Sequence, residues 1–162
     1  MTQFALVNTI LHYAYKHEDD HDLSHLRVQS LVYLVHGWYL AIEGRPLVAE
    51  PFIATKYGPL LPDVKFELYK YGQDPVEEYI LEYDPINVEL SPMFINEVAF
   101  PQFRAILEQV WKVYRPLNTL QLRTQLTLDD SPWRHTAQGA AIDNELIRQD
   151  FVRRAQQNST RV

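Results

Sequence analysis

Residues 24–62 read SHLRVQSLVYLVHGWYLAIEGRPLVAEPFIATKYGPLLP, and the fold class turns on the first half of that run. At 100° per residue, Ala41, Leu34, Trp38, Leu31, Ile42, Val35, Val28, Tyr39 and Val32 fill one continuous half of a helix. Leu40, Tyr33 and Leu26 extend the apolar arc on the other side of a narrow polar stripe formed by Glu43, His36 and Gln29. A helix apolar over most of its circumference is covered on most sides by other elements. Ser24 suits the N-cap, because its hydroxyl accepts from an otherwise unpaired backbone N–H. Gly44 suits the stop, since it enters the left-handed region at low cost, and Pro46 keeps the helix from resuming. The expected fold is therefore mainly α: a compact single-domain helical bundle around a buried central helix over 24–44.

The second half of the run is an elbow. Pro46 and Pro51 favour an extended path, residues 52–57 are short and β-prone, and Gly58-Pro59 marks a turn. Pro62 fits the first turn of the next helix, predicted over 62–71 and ended by Gly72. A small antiparallel β element is expected near 50–57 and 79–90, with Tyr79–Tyr83 or Ile86–Leu90 pairing with Phe52–Tyr57. Elsewhere, Phe4, Val7, Leu11, Ala14 and Tyr15 have helical spacing over 3–16. Phe103, Ile106, Leu107, Val110, Trp111 and Tyr114 form a strongly amphipathic helix that Pro116 ends. Asn118 with Gln121 completes a capping-box pattern, with Leu120, Leu122 and Leu126 as buried candidates. Asp143 caps a last helix carrying Leu146, Ile147 and Phe151. The domain is expected over 1–154, with 155–162 as a disordered tail.

A chain of 162 residues is long enough to bury a real core in one domain. It holds no cysteine, which excludes a disulfide framework and thiolate metal ligation. The opening MTQFALVN has neither the basic nor the apolar region of a signal peptide. No run reaches the ~18–20 apolar residues of a membrane span, so no membrane partner is expected and the cytoplasm is the expected location. The net charge of −6 argues against sequence-independent nucleic-acid binding. That charge is segregated. Residues 73–100 contain no Lys or Arg but carry Asp74, Glu77, Glu78, Glu82, Asp84, Glu89 and Glu97, and the chain turns mildly basic after Pro101. Two solvated surfaces account for this; an acidic segment facing a basic partner does so as well.

Catalytic signatures are nearly absent from the sequence. No nucleophile elbow, zincin helix, P-loop or dinucleotide fingerprint is present, and the glycines are too scattered to cradle a phosphate. A hydrolase using His36 and Glu43 is the weakest functional reading. Successive members of the Gln29, His36, Glu43 stripe lie about 10 Å apart along a helix axis, which favours satisfied polar groups in a packing interface. His17, His21 and His25 with Asp19, Asp20 and Asp22 lack any established metal spacing and read as a solvated turn, so no metal or cofactor is expected. Tyr57 and Trp133, aromatic residues in proline-bearing turns, are candidate partner anchors, because such positions lose little entropy on binding.

Leu26, Gln29, Leu31, Tyr33, Gly37, Trp38 and Leu40, followed by Gly44, Pro46, Leu47, Glu50, Ala54, Tyr57, Gly58, Pro59 and Pro62, form a run that resembles the Panacea-domain family. Its members are also described as GepA-like, phage-associated proteins. Val110, Tyr114, Leu122, Thr127 and the Ser131-Pro132-Trp133 turn resemble that family's second block, and Ile142 and Ile147 its closing helix. The family usually has Lys where Ser30 stands and His where Leu128 stands. The resemblance implies a mainly helical, non-enzymatic domain that works by binding protein. It implies an antitoxin, bacterial or prophage-encoded, that neutralises a cognate toxin encoded beside it; some members are thought to act as adaptors to a protease. The alternative is an immunity or phage-encoded regulatory protein acting on another effector or host protein. The partner-binding residues expected on this reading are Tyr57, Gly58, Pro59 and Pro62 of the elbow, Glu77, Glu78 and Glu82 of the acidic segment, and Trp133.

Overall fold

The computed structural model describes residues 2–17 and 23–160. Asp19, Asp20, His21 and Asp22 of the charged turn lie outside the described residues. The described residues form six α-helices and two small antiparallel β-hairpins around one apolar core. Helix α1 (Gln3–Tyr15) is capped by Thr2, whose hydroxyl accepts from Ala5 N at 3.1 Å. Helix α2 (His25–Glu43) is the predicted central helix. Ser24 caps it through Arg27 N at 3.3 Å, and Gly44 ends it with φ 72°. Every residue from Arg27 to Gly37 is buried. The other helices and the first hairpin all pack on it, as its nearly unbroken apolar circumference requires.

The β structure differs from the expected pairing. Strands β1 (Ile53–Thr55) and β2 (Gly58–Leu60) pair with each other in the register Ile53↔Leu60, Ala54↔Pro59 and Thr55↔Gly58. The reversal is immediate because Gly58 takes φ 103°, a conformation only glycine enters easily. Thr55 also braces it, its hydroxyl donating to Gly58 O and accepting from Tyr57 N. Strands β3 (Leu81–Asp84) and β4 (Glu89–Pro92) form a separate hairpin in the register Leu81↔Pro92 to Asp84↔Glu89. No described strand joins one hairpin to the other.

Between the hairpins lies α3 (Pro62–Leu68), which continues into a single 3-10 turn, Tyr69–Tyr71, before Gly72. Helix α4 (Phe103–Tyr114) buries all six of its predicted apolar residues. Helix α5 (Thr119–Leu126) begins with the predicted capping box: Gln121 N donates to Asn118 Oδ1, and Asn118 N to Gln121 Oε1, both at 2.8 Å. Leu122 and Leu126 are buried there, but Leu120 faces solvent. It falls on the side of this short helix away from α2, so its expected burial is corrected. Helix α6 (Asn144–Thr160) runs on past Arg154, where the sequence reading ended it. Ala155, Gln156 and Gln157 are good helix formers with no Gly or Pro among them, so the last turns continue on propensity once Ile147 and Phe151 are packed.

Helix α6 crosses α2 at Gly37. A Cβ on Gly37 would sit 2.2 Å from Phe151 Cε2, so glycine is what lets the ring lie on the helix backbone. Tyr33 and Trp38 close around the same ring in edge-on contact, with centroids 6.0 and 5.2 Å away.

Candidate docking surface

The elbow is built inward. Gly58, Pro59, Leu60 and Leu61 are buried. Gln29, from the polar stripe of α2, clamps the elbow like a third strand: its Nε2 donates to Leu61 O at 3.0 Å, and its Oε1 accepts from Leu61 N at 3.1 Å. Trp133 is half-buried, and its indole N–H donates to Thr55 O at 2.6 Å. The outer edge of β1 is covered as well. Ala54 N donates to Ala140 O, Gly139 N to Ala54 O, and Ile142 N to Phe52 O, at 2.7–3.0 Å. Gly58, Pro59 and Trp133 therefore shape the elbow, and of its expected partner residues Tyr57 and Pro62 are the exposed ones. The ammonium groups of Lys56 and Lys65 stand 5.1 and 5.6 Å from the Tyr57 ring centroid. Pro62 and Phe66 of α3 and Tyr69 at the start of the 3-10 turn follow at roughly helical spacing, and all three face solvent.

The acidic segment is built differently. Its entry is pinned by Tyr15, whose hydroxyl donates to Val76 O at 2.9 Å, and by Val76 N donating to Leu23 O. Glu77 and Glu78 are exposed beside this anchor. At the base of the β3–β4 hairpin, the buried Asn8 of α1 ties both strands. Its Nδ2 donates to Ile80 O at 2.8 Å and to Met93 O at 3.0 Å, and its Oδ1 accepts from Ile80 N at 2.8 Å. Thr9 takes the next amide, Ile95 N, at 2.9 Å. At the tip, Asp84 accepts from Ile86 N, Asn87 N and Asn87 Nδ2. The hydrogen bonds from Asn87 and Ile86 hold its carboxyl below the usual carboxylate range.

The faces of this hairpin are inverted relative to an ordinary half-buried sheet. Glu82 and Asp84 are partly covered, Glu82 accepting from the Thr2 hydroxyl at 2.9 Å. Leu81, Tyr83 and Leu90 point outward and are 52, 61 and 65 % exposed. A groove of about 270 Å³ lies between Leu81 and Leu90 and the 3-10 turn, lined also by Glu67, Lys70 and Glu78. Among the described residues, Glu97 pairs with Arg104, while no Lys or Arg forms an ion pair with Glu77, Glu78, Glu82, Asp84 or Glu89.

The expected partner residues thus fall into two groups on either side of α3, with Tyr57 and Pro62 at one end and Glu77, Glu78 and Glu82 at the other. Phe66, Tyr69, Leu81, Tyr83 and Leu90 were not singled out by the sequence. A period-two pattern shows that a strand has two unlike faces, and only the rest of the fold decides which one is covered.

The polar stripe of α2 offers no open site. His36 is 0 % exposed, packs at a tilt against the Phe52 ring and shares a hydrogen bond with Asn144 Oδ1 through Nε2 at 3.0 Å. Burial lowers its pKa to about 4, so the ring is neutral at pH 7. Its Nδ1 has no hydrogen-bond partner, so Glu43 does not engage it. The described residues hold no group of three or more potential ligands arranged for a metal ion, and no helix among them is long and apolar enough to cross a membrane.

The family model described as Antitoxin SocA-like, Panacea domain matches residues 28–134. That is more than half of the chain, and it runs from the first turn of α2 through both hairpins to the Trp133 turn. The chain belongs to this antitoxin family. A curated relative, Antitoxin SocA of Caulobacter vibrioides (strain NA1000 / CB15N), is 47 % identical over 45 residues, which cover 28 % of this chain and 24 % of that protein. The chain thus aligns with about a quarter of the length of that relative. No solved structure matches it. The Panacea match includes Gln29 and the elbow it clamps, the Trp133 that braces that elbow, and the whole acidic hairpin. Helix α1 and helix α6 lie outside the match, and they supply Asn8 and Phe151 to hold the matched part together.

Proposed function

We propose that this protein is an antitoxin that neutralises a cognate toxin by binding it directly, without catalysing a reaction on it. The observation that carries the reading is the match to an antitoxin family across residues 28–134. The toxin is a protein encoded beside this chain, and the pair acts in the cytoplasm. The contact surface runs from Tyr57 and Pro62 of the elbow, which Gly58, Pro59 and Trp133 hold in shape, across α3 to Glu77, Glu78 and Glu82. Its acidic end suits a basic toxin, since unpaired carboxylates steer and orient an oppositely charged partner. A neutralising protein needs affinity and surface rather than a reactive site, which fits a chain whose most unusual histidine is sealed in the core. In the adaptor form of this mechanism, the antitoxin also presents its bound toxin to a protease.

Co-expression with the adjacent gene product tests the reading. Rescue of growth and co-purification of the two proteins are expected, and a toxic neighbour that is neither rescued nor bound would overturn it. The adaptor form predicts that the toxin's half-life shortens when this chain is present and recovers in a protease-deficient host. An unchanged half-life would leave neutralisation to binding alone.

A further inference from the structure

We propose that the β3–β4 hairpin is a docking platform for an extended basic segment of the partner, added to it as a strand in which basic and apolar residues alternate. This rests on the antitoxin reading only for the partner's identity. The two faces of the hairpin carry the argument. One presents Leu81, Tyr83 and Leu90 to solvent, and the other carries Glu82, Asp84 and Glu89. Side chains alternate between faces with period two along a strand. A segment of alternating Lys or Arg and apolar residues therefore places its apolar side chains beside Leu81, Tyr83 and Leu90, and its cations beside the carboxylates.

The backbone is equally prepared. Among the described residues no third strand pairs with either outer edge of this hairpin. An uncovered edge is the template for strand addition. The first hairpin makes the contrast, because residues 139–142 already lie along β1. Docking costs little ordering, since Asn8 ties both strands at the base and Asp84 fixes the turn. Val88, next to the turn, holds φ 54° while 71 % exposed. A β-branched residue is strained there, and glycine would sit more easily. Charge selects the occupant. A second copy of this chain would set carboxylates against carboxylates, whereas a basic segment meets no Lys or Arg within residues 73–100, and in the groove beside Leu90 the cation Lys70 stands with the two carboxylates of Glu67 and Glu78.

The test uses the full chain and an octapeptide alternating lysine with valine or leucine. Its control has the same composition, with the lysines in one block and the apolar residues in the other. Hydrogen exchange and titration calorimetry should show the alternating peptide protecting amides within residues 81–92. Its affinity should fall with added salt, and the blocked peptide should bind at least about tenfold more weakly. The combined variant Leu81→Ser, Tyr83→Ser, Leu90→Ser, all at exposed positions, should keep the circular dichroism of the parent and lose at least about tenfold in affinity. Equal binding of the two peptides, no protection of the hairpin amides, or a variant that binds like the parent would each overturn the proposal. Co-expression with the neighbouring toxin is read separately. Absence of rescue there removes the antitoxin reading and leaves the peptide result standing.

Discussion

His36 shows what burying a polar group in the central helix does. In an unfolded chain its imidazole titrates near the ordinary value of about 6.5, and in the folded protein near about 4. Between those values the unfolded state binds a proton that the native state refuses. Stability is therefore full above about pH 6.5 and is lost as the pH falls towards 4. Between pH 7 and pH 5 the loss from this one group is about 2 kcal/mol. A His36→Phe variant, followed by urea denaturation at both pH values, should lose that part of the pH dependence. If the parent and the variant show the same difference between pH 7 and pH 5, His36 is not its source. Arg27 is the opposite case, a buried cation whose donors serve another element. Its guanidinium donates to Leu117 O and, at 2.8 Å, to Arg115 O, carbonyls just past the end of α4. Arg27→Met keeps the stem but leaves those carbonyls without their donor. It should cost about 2–3 kcal/mol in chemical denaturation, with Arg27→Lys in between because it lacks the fork. A neutral Arg27→Met would show that these bonds are replaced by water.

Between elements, the α2–α6 crossing depends on the absence of a side chain. Gly37→Ala forces a Cβ into the Phe151 ring, where a 2.2 Å separation leaves no room. The expected loss is about 3 kcal/mol, at the upper end for overpacking. Adding Phe151→Leu should recover part of it, so the double variant should be more stable than the sum of the single changes allows. Strict additivity in a double-mutant cycle would refute the contact. The central helix was legible from the sequence because its apolar arc, its Ser24 cap and its Gly44 stop all agree. The pairing of strands was not. Phe52–Tyr57 had several possible partners in the sequence, and the choice fell to Gly58 and to Gln29, whose side chain reaches a residue 32 positions on. Nor could the sequence show that Asn8 would serve the second hairpin from 72 positions away. Both are buried amides matched to a backbone N–H and C=O, a role that depends on tertiary placement and leaves no local pattern. The same holds for Leu81, Tyr83 and Leu90, since alternation is identical whichever face is covered.

For the whole molecule, charge is the property that was legible and that the fold leaves usable. The net charge of −6 is concentrated in a segment free of Lys and Arg. The fold uses little of that charge internally: Glu97 pairs with Arg104, Asp84 closes a turn, and Glu82 takes a hydroxyl from Thr2. Glu77 and Glu78 remain exposed. Carboxylates left in this way contribute little to stability, but they raise the association rate of a basic partner and lower its escape rate. Changing Glu77, Glu78 and Glu82 together to Lys should therefore leave the thermal midpoint nearly unchanged, since the hydrogen bond from the Thr2 hydroxyl to Glu82 is all that it removes from the fold. The same change should weaken the toxin complex by about tenfold or more near physiological salt. It should also flatten the dependence of affinity on ionic strength, because the attraction that salt screens has been removed. Titrating the toxin against parent and variant at low and high salt separates the possibilities. A parallel loss at both salts would mean that the substitutions disturb packing. Unchanged affinity would remove the acidic segment from the interface and leave the apolar face of the hairpin to hold the partner alone.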